Sequence, residues 1–465
     1  MTFSADTLAA TLVQLIGNED RALAVALSGG ADSAALLRAL ADCRRTHARW
    51  RVRALHVNHG LGPFAATLER AAREVARACE VPLTVLAVTV PPAAPEGVEA
   101  AARAARYEAL RAALAPGEFA LTAHHLEDQA ETLLLQLLRG AGLKGLAAMP
   151  VRSPLGSGVL LRPLLATSAA QLRAYAAARG LASTEDPMNR DARYDRAYLR
   201  AEVWPRLEAR WPKAAETLAR SARHAWEAQS LLDATSEALL ATVAAGPALR
   251  IEGLRALSAP RRGELIRFWL ARQGLRPPPA RRQARIDTEL LGARPGSHPR
   301  LVWEDGELRS FAGYLYAFAP LGALDVAGER LPGADEPERQ LGALGRLEVR
   351  TTLGTGLKLP ASGRPFTLAL RAGGERLRLA PGGARRPLKD LLREARVPPW
   401  ARERAILVSG DALAAVVLPH ATWIAAECRA EPGDVALGLA WRDAPAALWP
   451  PPAVDPFIER ERPFS

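Results

Sequence analysis

Apolar residues along the first two hundred positions recur with two periods, and the two alternate. Short apolar runs at Ala22–Leu27, Val52–His59, Leu83–Val90 and Phe119–His125 have the length and composition of buried strands. Between and after them, Leu68–Cys79, Ala100–Leu114 and Leu126–Arg139 place their apolar residues on one face of a helix. This alternation predicts βαβ units with right-handed crossovers, hence a largely parallel sheet with helices on both faces. The pattern changes after about Pro212. Ser221–Ala245 and Pro260–Gln273 predict helices, interrupted by Arg276-Pro-Pro-Pro279, and Pro332–Glu338 has the composition of a linker. From Leu347 onward the runs shorten between turn signals such as Gly373-Gly374 and Pro381-Gly-Gly383. The expected organisation is an α/β unit over 1–212, a mostly helical unit over 213–331 and a small mixed α+β unit over 340–448. A tail over 449–465 reads as extended or disordered.

Composition narrows the class. A chain of 465 residues exceeds one core, in keeping with two or three domains. The first twenty residues carry acids rather than a basic leader, and no apolar run is long enough to cross a bilayer. Cys43, Cys79 and Cys428 are dispersed without a C-x-x-C pair, which argues against a zinc site, an iron–sulfur cluster or a disulfide framework. A reducing cytoplasm is the expected compartment. The net charge of +11 invites a polyanion as partner. Nearly all of it is arginine, however, and an Ala/Arg/Pro-rich genome would give the same excess.

The motifs decide more. The run Ala22–Leu27 breaks into Ser28-Gly29-Gly30-Ala31-Asp32-Ser33, and an amphipathic pattern with Leu36, Leu37 and Leu40 on one face follows. Strand, glycine turn and helix in that order make a phosphate-binding loop. Glycines admit the anion close to the backbone, and the helix N-terminus offers unpaired N–H groups. Ser28 and Ser33 can add hydroxyl donors. Asp32 cannot donate to a phosphate, so its carboxylate suits a metal bridging phosphate oxygens. No Lys-Ser/Thr pair follows the glycines, so this is not a Walker A loop. The pattern S-G-G-x-D-S resembles the loop of the PP-loop ATP pyrophosphatases, whose fold is a parallel-sheet, adenine nucleotide α-hydrolase-like domain. The resemblance implies cleavage of ATP between its α and β phosphates.

Two further constellations fall at strand ends. His56-Val-Asn-His-Gly-Leu61 follows the second strand, and His56 and His59 there, with His124-His125 further on, suit a nucleotide pocket better than a zinc ligand set. Thr122-Ala-His-His-Leu-Glu-Asp-Gln-Ala-Glu-Thr132 opens a helix on which Asp128 and Glu131, three apart, share one face. Such a pair could hold Mg²⁺ or an ammonium group, and in isolation would simply suit the helix dipole.

These motifs together resemble the tRNA(Ile)-lysidine synthetase family. The likeness extends through Glu99–Tyr107, His124–Met149, Leu161-Arg-Pro-Leu-Leu165, Glu185–Arg190 and Tyr194–Arg200. It returns at Arg371–Arg376, Leu388-Lys389 and Val397–Trp400, while Gly62–Leu68 departs from the family by lacking acidic and serine residues. The resemblance implies that ATP adenylates the wobble cytidine of an isoleucine tRNA with a CAU anticodon, and that free lysine then displaces AMP to give lysidine. It further implies that Ser28, Gly29, Gly30, Ala31, Asp32 and Ser33 bind ATP and that Asp32 is the first metal candidate. Asp128 and Glu131 serve lysine or metal, and Arg103 and Arg106 stabilise adenylate or phosphate charge unless they form a solvated stripe. Arg196 and Arg200 are expected to clamp the substrate nucleotide or the tRNA backbone, and Arg371, Arg376, Arg385 and Arg386 to contact the acceptor stem or an arm unless they form a solvated surface. A homodimer is the state the family suggests, with no membrane association.

Overall fold

The computed structural model describes residues 2–44, 46–60, 64–90, 98–181, 184, 193–294, 296–333, 337–360, 363–445 and 448. The chain forms two compact units, 1–231 and 232–465. The first opens with α1 (Ala5–Ile16), capped by the Ser4 hydroxyl, which accepts from the Thr7 amide at 3.1 Å. Next come β1 (Arg21–Ala26), α2 (Ala31–Cys43), β2 (Trp50–Asn58), α3 (Phe64–Ala78), β3 (Leu83–Ala87) and α4 (Val98–Ala113). β4 (Phe119–Leu121) leads into α5 (Leu126–Leu138) and the one-turn α6 (Leu143–Leu146). A hairpin of β5 (Arg152–Leu155) and β6 (Gly158–Leu161) precedes α7 (Ala169–Ala178). Then follow α8 (Asp195–Tyr198), a π-helical turn at Leu199–Val203, α9 (Trp204–Arg210) and the long α10 (Ala214–Val243), inside which the division between the units falls.

The six strands make one sheet in the order β3-β2-β1-β4-β6-β5, parallel except for the β5–β6 pair. The chain moves outward from β1 to β3 and returns to β4 on the other side of β1. Leu23 and Val25 of β1 pack with Leu36, Leu37 and Leu40 of α2 and Leu172 of α7. Ala24 faces a second core with Leu55, Leu110, Leu114 and Leu160. Burial on both faces explains why β1 reads as an uninterrupted apolar run, and each leucine so buried contributes about 1.5–3 kcal/mol.

Two expected strands end early: Leu83–Val90 stops at Ala87 and Phe119–His125 at Leu121. At the latter, an Asp128 carboxylate oxygen accepts the His125 amide at 3.1 Å, which draws the chain out of the sheet into the start of α5.

The second unit contains two separate cores. One is formed by α11 (Ile251–Ala256), α12 (Ala259–Arg272), the π-helical turn Ile286–Leu291 that continues α13 (Ala280–Arg285), and five strands. These are β7 (Ala244–Ala245), β8 (Ala248–Arg250), β9 (Arg300–Trp303), β10 (Gly306–Phe311) and β11 (Tyr314–Phe318), ordered β7-β8-β11-β10-β9. The mostly helical expectation omitted the meander at Arg300–Phe318. β10 hides it, because its buried Glu307 and Arg309 form an ion pair inside the strand and erase the apolar pattern. The other core surrounds the fully buried Trp400 between two antiparallel four-stranded sheets. The expected tail lies outside the described residues.

Candidate active site

Strand order reverses between β1 and β4, and in a parallel sheet that reversal opens a crevice at the carboxyl ends of the two strands. The loop after β1 is Ser28–Ser33. Gly29 has φ +89°, and a Cβ there would lie 2.5 Å from the Leu68 carbonyl oxygen, so only glycine fits. Ser33 is buried, and its hydroxyl donates to the Gly30 carbonyl at 3.0 Å while accepting the Ser28 amide at 3.1 Å. The hydroxyl therefore braces the loop, and the exposed Ser28 joins it, its Oγ 3.0 Å from Ser33 Oγ and accepting the Gly30 amide at 3.3 Å. Gly30 N-caps α2 with no side-chain hydrogen bond, so the first-turn amides stay open to an anion.

After β4 the chain supplies the charged groups. His125 Nε2 lies 3.8 Å from Asp32 and 3.5 Å from Asp128, and its Nδ1 lies 3.0 Å from Glu127. Burial pushes the Asp32 carboxyl up and the Asp128 charge adds to this, against His125. Burial also works to raise Asp128, but His125 and Arg196 outweigh it and hold the carboxyl below its usual range. The adjacent histidines diverge. His124 is pushed down to about 3 by burial, which prevails over the opposing Asp128 charge and is aided by Arg162, Arg103 and Arg196. Burial lowers His125 too, but Glu127, Asp128 and Asp32 raise it overall.

The two candidate carboxylates of α5 are already partnered. Glu131 accepts Arg196 Nε at 3.0 Å and Arg200 Nε at 2.6 Å, and Arg200 also donates to Asp128 at 2.6 Å. The arginines expected to meet tRNA thus share one network with the carboxylates expected to meet lysine or metal. Gln129, on the same helix, clamps both backbone groups of Met149, at 2.9 and 3.0 Å.

The other candidates are placed as follows. His56 is buried, and its Nδ1 lies 2.8 Å from the Leu27 carbonyl just beneath the loop. His59 Nε2 accepts Arg106 Nε at 3.3 Å, and Arg103 lies 5.2 Å from the Tyr107 ring centre. In the second unit Arg371 sits 3.6 Å from Glu375, Arg376 donates to the Arg385 carbonyl at 2.6 Å, and Arg385 pairs with Glu427 at 2.6 Å. Arg386 pairs with Glu394. The Glu185–Arg190 motif lies outside the described residues. Glu127 was not among the candidates, and His125 stood only within the histidine cluster expected to shape the nucleotide pocket. Both stood inside the Thr122–Thr132 motif, and the signal was a His-x-Glu-Asp cluster at a helix start following a strand.

Among the described residues no group of three or more His, Cys, Asp or Glu could cage a metal. That suits Mg²⁺ carried by a nucleotide, which needs only one or two protein carboxylates beside phosphate oxygens. Asp32, 39% exposed and raised in affinity for protons by its surroundings, meets that need more readily than Asp128, which Arg200 already engages.

Loop, strand order and carboxylate cluster define a PP-loop, ATP-pyrophosphatase-type nucleotide domain, and residues 4–207 match the model of the PP-loop domain. Residues 249–316 match the TilS substrate binding domain, and 366–441 the TilS substrate C-terminal domain. The chain is 40% identical to the tRNA(Ile)-lysidine synthase of Methylococcus capsulatus, over 90% of its own length and 95% of that protein's. It is 42% identical to the enzyme of that name from Pseudomonas aeruginosa (84% and 88% covered) and 36% to that from Coxiella burnetii (89% and 92%). The chain belongs to the tRNA(Ile)-lysidine synthase family.

Proposed function

We infer that this protein is an ATP-dependent carbon–nitrogen ligase that joins lysine to C2 of the wobble cytidine of CAU-anticodon isoleucine tRNA. The reaction passes through an adenylated tRNA and releases pyrophosphate and AMP. The observation that carries this reading is the convergence of the Ser28–Ser33 loop with Asp32, Asp128 and Glu131 at the β1–β4 crevice, in a chain of this family.

The loop amides and Ser28 hold the phosphates, and Asp32, with Asp128 beside it, would hold Mg²⁺. When bound, that ion offsets charge developing on the departing pyrophosphate. Arg103 and Arg106 face the same charge from α4. Adenylation converts the C2 oxygen of cytidine into a good leaving group, and the lysine amine, once deprotonated by a carboxylate or water, displaces AMP. Asp128 and Glu131 receive the lysine ammonium by exchanging it for a guanidinium of Arg196 or Arg200, one cation for another. The freed arginine can then turn to a tRNA phosphate. The arginines at Arg371, Arg376, Arg385 and Arg386 support a second tRNA contact. The cytoplasm, where tRNA and ATP meet, is the proposed compartment. Among the described residues no helix is long and apolar enough to cross a membrane. A homodimer is the proposed assembly, to be checked by sedimentation.

The test is incubation with ATP, labelled lysine and total tRNA. Label should enter the CAU-bearing isoleucine tRNA; thiolation, or no transfer, would overturn the reading.

A further inference from the structure

The motif Leu161-Arg-Pro-Leu-Leu165 has no role in the reading so far. Its Arg162 follows β6, the strand beside β4, on the carboxyl side of the sheet. It is 7% exposed. One terminal nitrogen donates to the Pro150 carbonyl at 2.7 Å and reaches the Ser153 hydroxyl at 3.4 Å, and the Tyr107 side chain favours the charged form. Among the described residues Arg162 Nε finds no acceptor and no carboxylate forms an ion pair with the guanidinium. Its charged neighbour is the like-charged Arg103, which adds to burial in weakening its hold on the proton. A buried cation without a counter-charge is costly, and an arriving anion removes that cost.

The reaction offers three anions. A polynucleotide backbone needs exposed cations, which excludes it at this depth. The ATP phosphates belong to the loop after β1, two strands away, or about 10 Å at the usual strand spacing. The remaining anion is the carboxylate of the amino acid. An extended lysine with a hydrogen bond at its carboxylate end spans about the same 10 Å. Its ε-amine would then lie at the β1 end, where the adenylated base must present C2 and where His125 links Asp128 to Asp32.

We propose that Arg162 is the subsite for the α-carboxylate of the free amino acid, which therefore lies along the carboxyl edge of the sheet from β6 toward β1. The proposal rests on the ligase reading above. It assigns the specificity for an amino acid over a plain amine to a residue outside the phosphate loop and the α5 carboxylates.

The test compares lysine with cadaverine, the same chain without its carboxylate, using ATP and CAU-anticodon isoleucine tRNA. Wild type should favour lysine in kcat/KM by about a hundredfold, the scale of a buried charge-assisted pair. Arg162→Gln should lower kcat/KM for lysine about ten- to a hundredfold and leave cadaverine within about threefold. ATP–pyrophosphate exchange should stay near wild type. Arg162→Lys, which keeps the charge without the planar fork, should retain part of the discrimination and stands in if the Gln variant does not fold. Equal losses for both amines, or a wild type that uses both equally well, would overturn the proposal while leaving lysidine synthesis intact. No lysine transfer by wild type would overturn the ligase reading itself.

Discussion

Replacing Glu131 by Gln keeps the side chain's shape and one acceptor oxygen but removes the charge that two arginines share. Glu131 is 3% exposed, with Arg196 at 3.0 Å and Arg200 at 2.6 Å. Each charge-assisted hydrogen bond is worth about 1.5–3 kcal/mol. In the variant one bond weakens, and the other sets an amide donor against a guanidinium donor. Asp128 still holds Arg200 at 2.6 Å, and the arginine side chains are 25% and 36% exposed, so both keep some hydration. The net cost is therefore about 2–3 kcal/mol, below the 3–5 of a fully buried broken pair. For a unit of this size that lowers Tm by about 4–12 °C. Catalysis should separate into its two steps. If Glu131 receives the lysine ammonium, the lysine requirement rises about ten- to a hundredfold while adenylated tRNA still forms. Thermal melting checks the first effect; single-turnover formation of AMP–tRNA without lysine, followed by a chase at varied lysine, checks the second. A Tm within about 1 °C of wild type would refute the network's energetic role. Failure to adenylate at saturating ATP would refute the lysine assignment and make Glu131 a metal-side residue.

Asp32→Asn removes a carboxylate already disfavoured by burial and by Asp128. Stability should change by only about 0.5 kcal/mol, whereas ATP–pyrophosphate exchange should fall by several orders of magnitude; near-normal exchange would contradict the phosphate-loop assignment. Gly29→Ala forces a Cβ to 2.5 Å from the Leu68 carbonyl at a positive φ. About 1–3 kcal/mol of strain is expected, with weakened ATP binding by calorimetry; unaltered affinity would rule out this loop shape. His124 carries a pH signature, since its folded value of about 3 lies below the ordinary imidazole value of 6.5. The unfolded chain takes the proton first, so this contribution is complete above 6.5 and is lost as pH falls from there toward about 3. His125, raised in the fold, acts oppositely, contributing fully below 6.5 and less as pH rises through its folded value. Urea midpoints at pH 7.5 and 5 should fall less in His124→Asn than in wild type, and equal falls would refute the assignment.

The nucleotide half of the site was legible because its signals are local. A strand, two glycines and a helix follow one another in Ala22–Leu40, and a two-sided core makes β1 apolar throughout. The Asp128–Glu131 spacing was equally local. What these carboxylates bind was not, since Arg196 and Arg200 stand more than sixty residues away and no periodicity links the two helices. Sequence assigned the four residues to two partners, and folding joined them. Arg162 was quoted as part of a motif, but its lack of a counter-charge is a property of packing alone. The strand β10 escaped for a related reason, because Glu307 and Arg309 neutralise each other inside it.

The Ser33 hydroxyl is tied into the loop from within, between the Ser28 amide and the Gly30 carbonyl. The cradle for the phosphates is thus finished before a nucleotide arrives. A surface already in its bound shape loses little conformational freedom on binding, so phosphate contact can go toward aligning the α-phosphate with the attacking oxygen. The same holds in reverse. Pyrophosphate and AMP can leave, and the next ATP enter, without the loop having to unmake and rebuild itself at each turnover.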